Sequence, residues 1–288
     1  MAFDVDGALA ELLRSRARPE GLTWLEQVIA DVAAGADPEV AFPAVGRHVG
    51  RGGLDVPGAT LTTATGEVVP LAAWRVDDAA RVRVLLAAAR HDAAGALATA
   101  ARLYAQGDAR ERTGALRALP FLPGAADDAA ALPAVLDAMR VTQGEIFEAA
   151  ICDNPYGSRH LPQLEWRKAV LKALFVGLSI HRIPGLDDRA DADLAQSLCD
   201  FAAEREAATR AVPPELWPLA ARHAPPGLAA KLIGYLEHPN PVHRAAAATA
   251  LGHVVATDAR VRPFLTDRAE RERDDVVAAA LRGALARG

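Results

Sequence analysis

The amino-acid sequence predicts an all-α protein, an array of packed antiparallel helical hairpins with HEAT-like repeats at the flanks. Three observations carry this reading. Apolar residues recur at spacings of three and four along nearly the whole chain, which is the period of a helix and not of a strand. Stretches of alternating β-branched and aromatic residues are almost absent. Acids or hydroxyls, often followed by proline, stand before one apolar-periodic run after another, as N-caps do.

Taken in order, Asp37-Pro38, Asp77-Asp78, Asp108, Thr142, Asp191 and Asn240-Pro241 mark helix starts. They divide the chain into roughly a dozen helices of about 10 to 18 residues, with the short joins of antiparallel neighbours. Residues 54–72 are the exception. There Thr and Val mix with Gly and Pro, the composition of a long loop or a short hairpin. A faint repeat appears when residues 107–119 are laid on 239–251, with Arg112 on Arg244 and Leu119 on Leu251; Asp274 to Leu285 keeps the frame, and the stretch from Asp77 places Arg81 where Arg112 falls. This turn, Arg, small-residue, Leu pattern is similar to the second helix of HEAT-type units. HEAT-like helices are therefore expected at about 75–123 and 227–288, within a single elongated helical domain spanning 1–288.

With 288 residues and 51% hydrophobic content, the chain can bury a sizeable core. A formal charge of −5 with acids and bases interspersed leaves no footprint for a nucleic-acid backbone. Two cysteines, Cys152 and Cys199, are too few for a disulfide framework or a zinc motif and read as small apolar residues in a reducing compartment. The N-terminus carries Asp4 and Asp6 where a signal peptide would be basic, and no apolar run spans a bilayer, so a cytoplasmic protein without a transmembrane segment is expected. All basic residues but Lys168, Lys172 and Lys231 are arginine; with the abundant alanine this points to a GC-rich bacterial genome.

Residues 151–217 hold most of the polar irregularities. Asn154-Pro155-Tyr156-Gly157 is a turn leading into a helix from about Leu161 to Ile180, which is expected to bury Leu164, Val170, Leu171, Leu174, Phe175 and Leu178. Lys168 and Lys172 share a face of that helix, toward water or a shared anion. Pro184-Gly185 is expected to end it, leaving His181, Arg182, Asp187, Asp188 and Arg189 on one compact loop. Asp200, Glu204 and Arg205 follow at i, i+4 and i+5. The two carboxylates then share a face, where they can hold a cation, bind arginines or serve as acid and base; Lys172, Arg182 or Arg189 can equally neutralise them. Phosphate-binding, dinucleotide, metalloprotease and nucleophile-elbow motifs are absent, and the eight histidines show no metal-ligand spacing, so no cofactor and no metal are expected.

Residues 153–177 (DNPYGSRHLPQLEWRKAVLKALFVG), 183–206 and 212–219 (VPPELWPL) resemble the EboA family of secondary-metabolite gene clusters. Asn154, Tyr156, Trp166, Lys172, Gly185, Asp187, Arg189, Asp200, Glu204 and Arg205 fall on the family's characteristic segment, and Pro214 to Trp217 on its following signature. Arg159-His160-Leu161 stands where the family usually has an aromatic and an acid. The resemblance implies an accessory protein of metabolite production or export, whose partners are other enzymes of the cluster or a small polar metabolite. It carries no established activity. Candidate ligand-binding residues are thus Asn154, Tyr156, Lys172, Arg182, Asp187, Arg189, Asp200, Glu204 and Arg205. A scaffold reading competes with an enzyme reading, in which Lys172, Arg182 and Arg189 hold an anion and Asp200 or Glu204 is acid or base, and with a structural subunit built on ion pairs.

Overall fold

A computed structural model describes residues 4–287 of the chain and is mostly helical, as the periodicity requires. The chain forms two compact units. The first runs through Ala169 and takes in Arg182–Gly185; the second comprises Val170–His181 and Leu186 onward. Among the described residues no helix is long and apolar enough to cross a membrane.

The first unit is organised around the helix Val76–His91, against which Val5–Arg14, Pro19–Ala33, Val45–Val49 and Ala109–Ala118 pack. Surrounded on several sides, this helix is buried over most of its length, charges included: Asp77, Asp78, Arg81 and Arg83 all lie in the interior. Its N-cap is Arg75, so Asp77 and Asp78 do not precede the helix as expected but occupy its first turn, where Asp78 accepts from the Arg75 backbone N–H at 2.9 Å. Buried charges persist only when paired. Arg81 donates to Asp77 at 2.7 Å and to the Phe42 carbonyl at 3.3 Å, Arg83 donates to Asp6 at 2.7 Å and Glu26 at 2.6 Å, and Arg117 pairs with Asp78. Residues 54–72 resolve into a hairpin, Thr60–Thr62 against Val68–Pro70, with Leu61 opposite Val69 and both buried.

In the second unit Pro241–Val254 packs on Asp275–Leu285, Leu216–Ala221 and Leu228–Tyr235, with Ala247, Leu251, Val277 and Leu281 in the core. The repeat frame is visible in the caps. Asp108, Asn240 and Asp274 each hold the N-cap of their helix and accept backbone N–H bonds from its first turn. Arg112 and Arg244 also play one part: Arg112 donates to the Gly107 carbonyl at 3.0 Å, and Arg244 to the Pro239 carbonyl at 3.0 Å, in both cases the residue just before the cap. Arg81 departs from this role because Asp77, within the helix, captures it.

The helix expected from about Leu161 to Ile180 is shorter, Gln163–Val176. Gly177 ends it with φ +80, a left-handed conformation that favours glycine, before Pro184-Gly185 is reached. Val170 and Leu174 are buried as expected, whereas Leu164 and Phe175 are 58% and 69% exposed.

Candidate functional site

The segment CDNPYG, residues 152–157, builds a second polar interior in the first unit, in addition to the buried charges of the helix Val76–His91. The helix Gly144–Ile151 stops at Cys152, and Asp153 adopts φ +55, a region that aspartate tolerates better than most residues. That turn swings the chain into the helix Pro155–His160, capped by Asn154, whose Oδ1 accepts from the Tyr156 N–H at 3.1 Å. The Asn154 amide, 2% exposed, donates to the Leu116 carbonyl at 3.0 Å and the Ala149 carbonyl at 2.8 Å. Tyr156 is fully buried; its hydroxyl donates to the Asp128 carbonyl at 3.1 Å and accepts from the Ala131 N–H at 3.0 Å. Gly157 crosses so close to the preceding helix that a Cβ would lie 2.2 Å from the Ala150 carbonyl oxygen.

Arg182 reaches back to this turn. Its guanidinium donates to Asp153 at 2.9 and 2.6 Å and to Glu148 at 2.5 Å, while the Asp153 N–H donates to the Arg182 carbonyl at 2.6 Å. Burial alone would make Arg182 a stronger acid, but its hydrogen bonds to Asp153 and Glu148 outweigh it and hold the guanidinium above its ordinary range. Trp74, Arg117, Glu148, Cys152, Asp153 and Arg182 line a cleft of about 10 Å³, room for about one water. Arg117 lies 5.6 Å from the Trp74 ring centroid and donates to the Ala73 carbonyl at 2.6 Å as well as pairing with Asp78. Both cations of the cleft are thus committed to carboxylates.

Burial pushes the Cys152 thiol up to about 12, so at pH 8 roughly one molecule in ten thousand carries the thiolate that a nucleophile requires. Iodoacetamide at pH 8 should accordingly modify half-buried Cys199 well before Cys152 in the native protein. Loss of most of the native reactivity in Cys199→Ser, and little in Cys152→Ser, is the expected pattern. Rapid loss of reactivity in Cys152→Ser instead would reveal an activated thiol. His160, a residue one could pair with Cys152 on paper, has its Nε2 on the Ala125 carbonyl oxygen at 2.8 Å.

The remaining candidates belong to the second unit. Arg182 and Asp187 therefore do not share one loop as expected: Arg182, the last residue of the 3-10 turn Ile180–Arg182, belongs to the first unit, whereas Asp187 and Arg189 lie in the short helix Leu186–Arg189 of the second. Asp187 accepts from Arg222 at 2.8 Å. Burial lowers the proton affinity of both Lys172 and Arg189. Asp200 and Glu204 are exposed on the helix Ala192–Ala207, where Asp200 accepts from Gln196 at 2.8 Å. Arg205 covers the Phe201 ring at 5.5 Å and donates to the Ala211 carbonyl. Sequence reasoning passed over Glu148, Asp153 and Arg117, the partners that make the cleft, and Glu206, which accepts from Lys231 at 2.6 Å and Tyr235 at 2.7 Å. No spacing rule joins Glu148 to Arg182 or Arg117 to Asp78, since their contacts are set by how separate helices cross.

Two wider hollows also lie in the first unit. One, of about 260 Å³, is bounded by Thr65 of the hairpin, residues 120–127 and Arg159; the other, of about 320 Å³, lies between Trp24, Val28 and His48. A profile of the EboA family, described as metabolite traffic protein EboA, matches residues 5–221. The chain belongs to the EboA family. HEAT repeats match residues 192–286, so this EboA-family chain ends in the repeat architecture that its C-terminal caps display. No curated protein and no solved structure gives a significant match. The family match covers the DNPYG turn and both hollows, and places the protein in metabolite handling.

Proposed function

We propose that this EboA-family protein is a non-catalytic accessory of a metabolite pathway, a helical scaffold that binds a small metabolite and presents its surfaces to the enzymes that make or pass on that metabolite. One observation carries the reading: the polar centre at Arg182 is internally neutralised and water-sized, while the space for a small molecule lies elsewhere in the same unit. Arg182 pairs with Glu148 and Asp153, Arg117 pairs with Asp78, and the Cys152 thiol stays protonated. Such a centre fixes the helices; it has no primed acid, base or nucleophile to turn a substrate over.

A second reading is favoured by Lys172 and Arg189, two cations whose burial disfavours their charge and which an anionic, phosphorylated ligand would stabilise. Thermal melting against sugar phosphates, cyclitols and nucleotides separates the two. Ligand at about one hundred times its dissociation constant stabilises the native state by about 2.7 kcal/mol. The scaffold reading expects a shift without consumption of the ligand, retained in Lys172→Ala and Glu204→Ala. A phosphate-dependent shift lost in Lys172→Ala, with ligand converted to product, would establish the enzyme.

A further inference from the structure

The helix Pro19–Ala33 carries a wider apolar arc than its core contact uses. Leu25, Ile29 and Val32 are buried against the rest of the unit. Trp24, Val28 and Asp31, at i, i+4 and i+7, form a second stripe beside them, and the facing chain, Asp37, Ala41, Ala44 and His48, repeats the same helical spacing through the turns that join Pro38–Ala41 to Val45–Val49. The two stripes are the walls of the 320 Å³ groove, a volume within the range of small-molecule sites.

The groove is polarised. At one end the Trp24 and His48 rings stack with centroids 3.9 Å apart and 7° between planes, so an aromatic pair closes the groove there. At the other stand two carboxylates. Asp37 caps its helix through the Glu39 N–H at 3.0 Å and is met by Arg102 at 3.4 Å. The Asp31 carboxylate meets the neutral Gln27 amide at 2.9 Å and, among the described residues, no cation. Val28, Ala41 and Ala44 supply apolar floor between the ends. An aromatic pair, an apolar floor and an uncompensated carboxylate are complementary to a flat, largely apolar molecule with a cationic amine at one end.

We propose that this groove is a binding site for a flat, apolar small molecule bearing an amine, seated along Val28 and Ala44 with its ring system at Trp24 and its ammonium at Asp31. This rests on the metabolite-binding reading above and gives that reading a site and a ligand class.

The test uses the full-length protein and three probes of one shape, 2-naphthylmethylamine, 2-naphthalenemethanol and 2-naphthylacetate, followed by calorimetry and by the indole N–H resonances in a ¹⁵N-correlated spectrum. Trp74, Trp166 and Trp217 are buried and Trp24 is half-buried, so a resonance absent in Trp24→Phe identifies the reporter. The amine should shift that resonance and bind about ten-fold more tightly than the carboxylate, the sum of one modest attraction and one modest repulsion at a solvent-facing charge. Asp31→Asn should erase most of the amine's advantage over the alcohol while leaving the alcohol's affinity unchanged. Ala44→Phe, which fills the groove from a half-buried position, should abolish binding of all three. Equal affinity for amine and carboxylate, binding that survives Ala44→Phe, or no binding by any probe would overturn the proposal. Failure of all three probes together with a melting shift by a sugar phosphate or cyclitol that persists in Ala44→Phe would refute this site and leave metabolite binding standing.

Discussion

Arg117→Met is expected to lower the free energy of unfolding by about 3–5 kcal/mol at pH 7, the cost of stranding one member of a buried ion pair. The stranded group is Asp78, fully buried and with one carboxylate oxygen that has no hydrogen-bond partner even when Arg117 is present. Burial already pushes the Asp78 carboxyl above the usual carboxylate range, against the pull of Arg117. Removing the arginine raises it further. A carboxyl whose affinity for protons is higher folded than unfolded weakens the fold as pH rises from the unfolded carboxylate range through the folded value, and the loss is complete above it. The deficit of Arg117→Met should therefore shrink as pH falls toward 5, which denaturant unfolding at several pH values measures. Arg117→Met combined with Asp78→Leu should recover part of the loss, because no charge is then left buried alone, while the Arg75 N–H and the Ala73 carbonyl lose the side-chain partners they have in the wild type. A single variant within about 1 kcal/mol of the wild type at pH 7 would mean that the pair is solvated in solution.

The second large effect is expected in the other unit. Trp217→Ala should cost about 3–5 kcal/mol, the range for deleting a large buried aromatic. Trp217 is fully buried, edge-on to Tyr235 at 5.0 Å, with the Lys231 ammonium 5.7 Å from its ring centroid. Its indole N–H has no hydrogen-bond partner among the described residues. The ring therefore acts through volume and not through a donor, and Trp217→Phe should be much milder than Trp217→Ala. Equal losses in the two variants would point to a role for the indole nitrogen instead.

The interior around the DNPYG turn and Arg182 is structural as well. Asn154, Tyr156, Gly157 and Arg182 are placed where they close backbone hydrogen bonds, permit a helix crossing or neutralise carboxylates. In these positions they act on architecture, and the architecture leaves its open volume at the Trp24 groove and beside the hairpin. No motif singles out Trp24 in the sequence, and His48 reads as one of the histidines without metal-ligand spacing, a surface or core residue. Only the i, i+4, i+7 run of Trp24, Val28 and Asp31, one step off the buried stripe, hinted at a second face.

The sequence by itself determined the all-helical class, the N-caps at Asp37, Asp108, Asp191 and Asn240, the repeat frame shared by residues 107–119 and 239–251, and the family, because these are local properties: hydrophobic period, cap chemistry and short-range motif. The tertiary structure alone decided that Asp77 and Asp78 lie inside a buried helix, that Arg182 serves Glu148 and Asp153 and does not share a loop with Asp187, and that Leu164 and Phe175 face outward. Those outcomes depend on which helices surround which. A charged residue becomes buried when its helix is enclosed on several sides, and its partner is then chosen by the crossing of elements far apart in the chain, information that no window of sequence contains.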